Sequence, residues 1–363
     1  MKTATAAGYE RFAAVEARGV SPLYEEWAAS IADDDAVLAL IESLPRPKRQ
    51  PNLVFAAARL AGAPLAWYPE FREWLLGRWA AVEPIIQSRM NQTNEAGRCA
   101  VLLPLLSRIE GPVALIEAGA SAGFCLYPDR YSYRYQADDG EQLVHPAAGA
   151  STVELPCTLT GTAVPERLPD VVWRAGIDLN PLDVQDFEDM AWLETLVWPE
   201  HEERRDRLRA VAKIAAEAPP HLVRGDIVEE LPALVDKAPK DATVVVFQSA
   251  VLPYLDPDHR QRFVDRVQGL DVIWISNEGE GVLPAVKDQL TRSAEGNLVL
   301  SLDGVPQAFT GPHGQSYEAL RPRAKPRPAT AAEYPQPASP QTTPPEPAPA
   351  CPTGWRRRRA GSP

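Results

Sequence analysis

Apolar positions between residue 9 and about residue 108 recur at helical spacing. Tyr9, Phe12, Ala13 and Val15, with Glu16, open one amphipathic stretch, and Ser21-Pro22 caps a second that runs through Tyr24 and Trp27 to Ile31. Residues 53–60, 71–86 and 94–107 repeat the spacing, while prolines at 45, 47, 51, 64 and 69 punctuate the connections. No alternating strand pattern interrupts them. The pattern predicts a helical N-terminal domain over 1–110.

At Gly111-Pro112 the pattern changes. Val113-Ala-Leu-Ile-Glu117 is a short apolar run that ends in a glycine-rich turn, which suits a strand buried on both faces. Further strands are expected at 171–178, 221–226, 243–248 and 272–276, with helices over 201–217, 228–237 and 257–268 between them. Runs at 298–302 and 307–310, joined by Asp303-Gly304, close the region as a hairpin that adds an antiparallel edge. Alternation of this kind implies an α/β fold, a Rossmann-like doubly wound, mostly parallel sheet over 111–320. Tyr131-Ser-Tyr-Arg-Tyr135 and the extended run from Thr152 interrupt it, and predict a β-hairpin insertion over about 128–168.

Composition changes this picture in three places. Twelve of the last 43 residues are proline, so 321–363 is expected to be a disordered Pro/Arg-rich tail that cannot bury enough apolar surface to offset its chain entropy. That tail holds eight Arg and Lys against two Glu; the whole chain carries −12, so the remainder carries −18. An acidic body argues against a nucleic-acid partner, which needs a basic footprint, and leaves small molecules or proteins as partners. Cys99, Cys125, Cys157 and Cys351 are scattered, with no metal-ligand spacing and no disulfide framework. Met1 to Arg18 lacks the apolar core of a signal peptide, and no apolar run is long enough to span a membrane. A cytoplasmic protein without a membrane partner is expected.

The candidate chemistry lies at strand ends. Glu117-Ala-Gly119-Ala-Ser121-Ala-Gly123 reads as an acidic strand end followed by a tight turn into a helix, whose N-terminus would favour polar or anionic groups. Asp178, after Gly176-Ile, places a carboxylate at the end of the next strand, where it can accept hydrogen bonds from ribose hydroxyls. Asp226 follows the third strand, where an adenine amino group could be read, and Gln248-Ser-Ala-Val-Leu252 follows the fourth. All four segments sit at the carboxyl ends of strands, where open α/β sheets bind ligands. Arg174, inside an apolar strand, calls for a carboxylate partner, with Glu117 or Asp178 the candidates.

These four segments resemble the first four motifs of class I S-adenosylmethionine-dependent methyltransferases, over about 111–318. The whole of 9–318 more closely resembles a bacterial domain-of-unknown-function family (number 2332). Gln92-Thr-Asn-Glu95, the glycine-rich segment, Arg174 to Asp178, Val197-Trp-Pro199, Arg204 to Leu208 and Gln248 to Leu252 carry that likeness. The methyltransferase resemblance implies a seven-strand sheet whose reversed last strand the final hairpin supplies. It implies S-adenosylmethionine as cofactor, Gly119, Ser121 and Gly123 along its methionine moiety, Asp178 at the ribose and Asp226 at the adenine. Glu117 would orient the amino group, and Gln248 would face the same crevice. Ser121 stands where that pattern has a second glycine. Methyl transfer to an acceptor needs positioning and at most one base; Tyr254, His259 and Glu95 are candidates, each with a structural reading as loop aromatic, helix-face residue or helix cap.

Two other functions fit the same residues. Gly119-Ala-Ser121-Ala-Gly123 satisfies the GxSxG pattern of a serine hydrolase, which would use Ser121 with Asp226 or Asp256 and His313. A non-catalytic binding or scaffold protein that keeps the fold without the cofactor is the third, and the Ser121 departure favours it.

Overall fold

The computed structural model describes residues 2–92 and 94–320, so the tail expected from 321 onward lies outside the described residues. Local sequence explains most elements. Ser21 accepts a hydrogen bond from the Tyr24 amide (3.1 Å) and Pro22 occupies the first turn, which fixes the start of the helix Pro22–Ile31. Asp34 caps Asp35–Glu42 in the same way, a helix that the periodicity alone did not separate. The other helices of this region are Ala4–Arg11, Pro51–Leu60, Tyr68–Ser88 and Cys99–Leu106.

Eleven strands follow in one sheet: β1 Pro112–Ala118, β2 Ser132–Ala137, β3 Gly140–Val144, β4 Glu154–Thr160, β5 Asp170–Asp178, β6 His221–Arg224, β7 Thr243–Ser249, β8 Ile273–Gly279, β9 Leu298–Leu302, β10 Val305–Thr310 and β11 Ser316–Ala319. Their order is β3-β2-β4-β11-β10-β9-β8-β7-β1-β5-β6. Six of the ten pairings are parallel, so the mixed α/β sheet is mostly parallel, with eleven strands instead of seven.

Two expectations change here. The closing hairpin β9–β10 is antiparallel but is not an edge, because β11 pairs with β10 and then with β4. Within that hairpin the first strand, β9, is the one that lies against β8. The 128–168 region does contain a hairpin, β2–β3, but β2 and β4 also extend the main sheet through β11.

Alternation along the central strands sends side chains into two cores. Val113 and Leu115 of β1, with Val245 and Phe247 of β7, join a core shared with the N-terminal helices. Ile116 and Ala118 of β1, with Val246 of β7, join a second core under the helices Ile227–Asp236 and Pro257–Gln268. The first core runs from Ala6 to Tyr317, so helices and sheet bury apolar surface together, and the described residues form one compact unit. Cys99–Leu106 is buried along its whole length, and the Tyr135 hydroxyl of β2 donates to Ala100 O (2.7 Å). The outer strands therefore close over this helix and cover what would otherwise be its exposed flank.

Candidate functional site

The carboxyl ends of β1, β5 and β7 are all reached from one short stretch, by Gln92, Asn94 and Arg98. Gln92 Nε2 donates to Asp178 Oδ1 (3.2 Å) and Asn180 O (2.8 Å) beyond β5. Asn94 Oδ1 accepts from the Phe124 amide (3.1 Å) after β1. Arg98 donates to Ser249 O (2.7 Å) at the end of β7 and to Pro312 O (3.0 Å) between β10 and β11. Gly97 lies so close to this last turn that a Cβ would sit 2.5 Å from His313 O.

The glycine-rich segment is a strained loop. Gly119, Ser121 and Gly123 all have positive φ (78°, 51° and 74°), and the non-glycine Ser121 carries the strain. No full helix follows: Gly123 leads only into the three-residue turn Phe124–Leu126, and Tyr127-Pro128 then carries the chain to β2. The expected helix N-terminus is absent because Pro128 and the aromatic packing of Phe124 and Tyr127 stop propagation after one turn. The loop amides are also engaged. Gly119 and Ala120 donate to Ile177 O, Gly123 donates to Ala120 O, and Ser121 donates to Asp178 Oδ2 at 2.8 Å.

Asp178 is thus held from three sides, by Ser121, by the Asn180 amide (2.8 Å) and by Gln92. Next to it, three buried oxygens have no hydrogen-bond partner among the described residues: Glu117 Oε2, Ser121 Oγ and Gln92 Oε1. Burial pushes the Glu117 carboxyl well above the usual range, with Cys125 adding to the effect and Arg98 opposing it. Asp226 caps Ile227–Asp236 and pairs with His259 Nε2 (3.0 Å). Burial opposes its charge, but the contacts with His259 and with the Val228 and Glu229 amides together outweigh that and hold the carboxyl below its ordinary value. Gln248 points to the opposite side of the sheet, where it accepts from Trp274 Nε1 (2.9 Å) in the second core. Glu117, Gly119, Ser121, Gly123 and Asp178 therefore share one place, with Asp226 on the neighbouring strand end and Gln248 facing away.

Arg174 pairs with Asp129, not with Glu117 or Asp178, and stacks its guanidinium 5.2 Å from the Tyr127 ring. The insertion supplies that carboxylate, so spacing along the parallel strands could not reveal it. Tyr254 is 59% exposed on the rim of a cleft, not packed. None of the hydrolase residues engages another: Ser121 Oγ has no partner among the described residues, Asp256 caps Pro257–Gln268, and the His313 amide donates to Gln315.

A large cleft adjoins these strand ends. It encloses about 1160 Å³ between the N-terminal helices and the carboxyl edge of the sheet, with Phe12, Trp198, His201, Arg204 and His313 on its walls. Arg204, which lines its floor, is held from behind by Glu95: Arg204 Nε donates to it at 2.8 Å and Arg207 lies 3.5 Å away. Burial works against the Glu95 charge, yet the two guanidiniums hold its carboxyl below the ordinary value. The two sequence stretches 92–95 and 204–208 thus act together across more than a hundred residues.

The chain matches one family model over residues 6–318, that of an uncharacterized protein conserved in bacteria (DUF2332). The chain belongs to this DUF2332 family. No curated protein matches it. The match spans both the helical region and the sheet, so the contacts of Gln92, Asn94 and Arg98 and the Glu95–Arg204 pair lie wholly within the DUF2332 region. Among the described residues, no helix is long and apolar enough to cross a membrane, and no His, Cys, Asp and Glu cluster has metal-site geometry.

Proposed function

We propose that the carboxyl edge of the sheet binds a phosphate-free nucleoside cofactor, S-adenosylmethionine, and that the adjoining cleft takes the acceptor of its methyl group. The observation that carries this reading is the set of unpartnered buried acceptors around Asp178: Glu117 Oε2, Ser121 Oγ and Gln92 Oε1. Buried oxygens without donors are costly, so a ligand that brings ammonium and hydroxyl donors is favoured there. The five strands β6-β5-β1-β7-β8 read 3-2-1-4-5 in order of appearance, a Rossmann-like arrangement that reverses between β1 and β7. Ligands of such sheets bind at that reversal.

The same site disfavours a dinucleotide. A pyrophosphate needs free loop amides and a helix N-terminus, whereas the Gly119, Ala120, Ser121 and Gly123 amides are already bonded and only one turn of helix follows. S-adenosylmethionine brings no phosphate, and when bound it supplies an electrophilic methyl group. Asp178 would take the ribose through Oδ2, which has Ser121 as its one donor among the described residues, and Glu117 and Gln92 would take the amino group. A cation beside Glu117 would favour the charged carboxylate against the burial that disfavours it. One observation favours a second reading, a binding or scaffold protein without cofactor: Asp178 is already held by Ser121, Asn180 and Gln92.

Calorimetric titration of the full chain with S-adenosylmethionine and S-adenosylhomocysteine, beside an Asp178→Ala variant checked for native unfolding, separates the two. Micromolar binding lost in the variant supports the cofactor site. Absence of binding up to millimolar ligand refutes it and leaves the scaffold reading.

A further inference from the structure

We propose that the large cleft binds a small organic anion, a carboxylate on an apolar body, with Arg204 as its charge partner. The cleft lies in a part of the chain with a net charge of −18, yet its walls carry Arg46, Arg49 and Arg204, with Glu16 and Glu295 as the acidic lining residues. Arg49 donates to the carbonyls of Leu44 and Glu42, and Arg46 has no carboxylate partner among the described residues. Glu95 is a single carboxylate shared by Arg204 and Arg207. One guanidinium charge therefore stays unmatched at the floor, in surroundings dry enough to make it effective.

Two imidazoles flank that charge. His201 stacks on Trp198 (5.8 Å between ring centres) and its Nδ1 lies 3.3 Å from Arg204 Nη1. Burial, then Arg204, lowers its pKa; the same causes bring His313 down to about 4. Both rings therefore favour the neutral form, through burial first and then through the charge of Arg204. Phe12, Val20, Leu196 and Trp198 give the same cleft an apolar lining, and the buried Tyr9 hydroxyl on it has no partner among the described residues. An inorganic anion would leave that wall wet, whereas a carboxylate on an aromatic or aliphatic body satisfies both halves. This inference rests on the cofactor reading only in naming the anion as the acceptor; binding itself needs no cofactor.

The test uses the full chain without cofactor, naphthoate as probe, and naphthamide and inorganic phosphate as comparisons. Calorimetry is expected to show naphthoate binding at least about tenfold tighter than its amide, with phosphate ineffective. Five histidines in the chain make the ring-proton spectrum assignable through His201→Gln and His313→Gln. Naphthoate is expected to raise the midpoints of both rings, since a negative charge offsets Arg204. The double variant Glu95→Gln/Arg204→Gln, which leaves no buried carboxylate facing Arg207 alone, is expected to lose this binding. Arg46→Gln, on an exposed residue, is expected to weaken it without disturbing the fold. Equal affinity for acid and amide, no naphthoate binding up to millimolar, phosphate binding as well as naphthoate, or unchanged binding in both variants would overturn the proposal. S-adenosylmethionine titration reads the other site separately, so either reading can fail alone.

Discussion

Glu278 ends β8 buried in the second-core side of the sheet, and the Glu278→Gln substitution tests how it holds the loop after β7. Its Oε1 accepts from the amides of Val251 (3.1 Å) and Leu252 (3.3 Å), while Oε2 has no partner among the described residues. The loop it holds includes Ala250 at φ 55°, and Val251 packs on Gly119 so tightly that a Cβ there would lie 2.5 Å away. Burial raises the Glu278 carboxyl from 4.5 to about 7, against the two amide bonds and the charges of Arg98 and Arg260. A carboxyl raised in the folded state favours folding fully only below its unfolded value, and that contribution is lost as pH rises through the folded value. With a difference of about 2.5 pH units at ~1.4 kcal/mol each, the group costs about 3 kcal/mol once ionised. Between about pH 5.5 and about pH 8.5 the wild type should lose ~2 kcal/mol more than the variant. Glutamine keeps an acceptor for both amides, and its unmatched amino group costs the same at every pH, so the intercept moves while the slope reports the ionisation. Urea unfolding at both pH values, with equal m-values as the two-state check, measures this. Parallel pH dependences of wild type and E278Q would refute the reasoning.

Gly314→Ala should be far costlier than Gly304→Ala, although both glycines have positive φ (83° and 77°). A Cβ on Gly314 would lie 2.0 Å from Gly97 O, whereas nothing lies closer than 3.9 Å at Gly304. Strain alone costs about 1 kcal/mol, and the backbone collision adds ~1–3 kcal/mol; equal losses in denaturant unfolding would contradict the close seating of the 92–98 segment. Glu95→Gln leaves Arg204 and Arg207 without their shared carboxylate and should cost about 3 kcal/mol at neutral pH. Because the folded Glu95 value is lowered, the stability it contributes is present above the unfolded value and lost as pH falls, so E95Q should unfold less steeply on acidification. A variant as stable as wild type at neutral pH would show that the pair is immaterial.

Much of this molecule was written in local sequence. Short apolar runs between helical stretches placed β1, β5, β6, β7, β8, β9 and β10, and the Ser21-Pro22 cap placed a helix start. These signals are local because an amide seeking a cap, or a side chain seeking a core, is satisfied within a few residues. The clustering of Glu117, Ser121 and Asp178 at strand ends was legible for the same reason: parallel strands carry their carboxyl ends to one edge. Tertiary structure decided the rest. Whether the turn after β1 could start a helix depended on packing of Phe124 and Tyr127. Arg174 took Asp129 from the insertion instead of a neighbour along the sheet. Gln248 faced the wrong side because a strand's alternation has two phases and the register of β7 against β8 chose between them. Above all, Glu95 meets Arg204 only after a helix and the sheet edge have docked. A charge pair buried across so many residues has no signature in spacing, because its cost and its partner exist only in the folded interior.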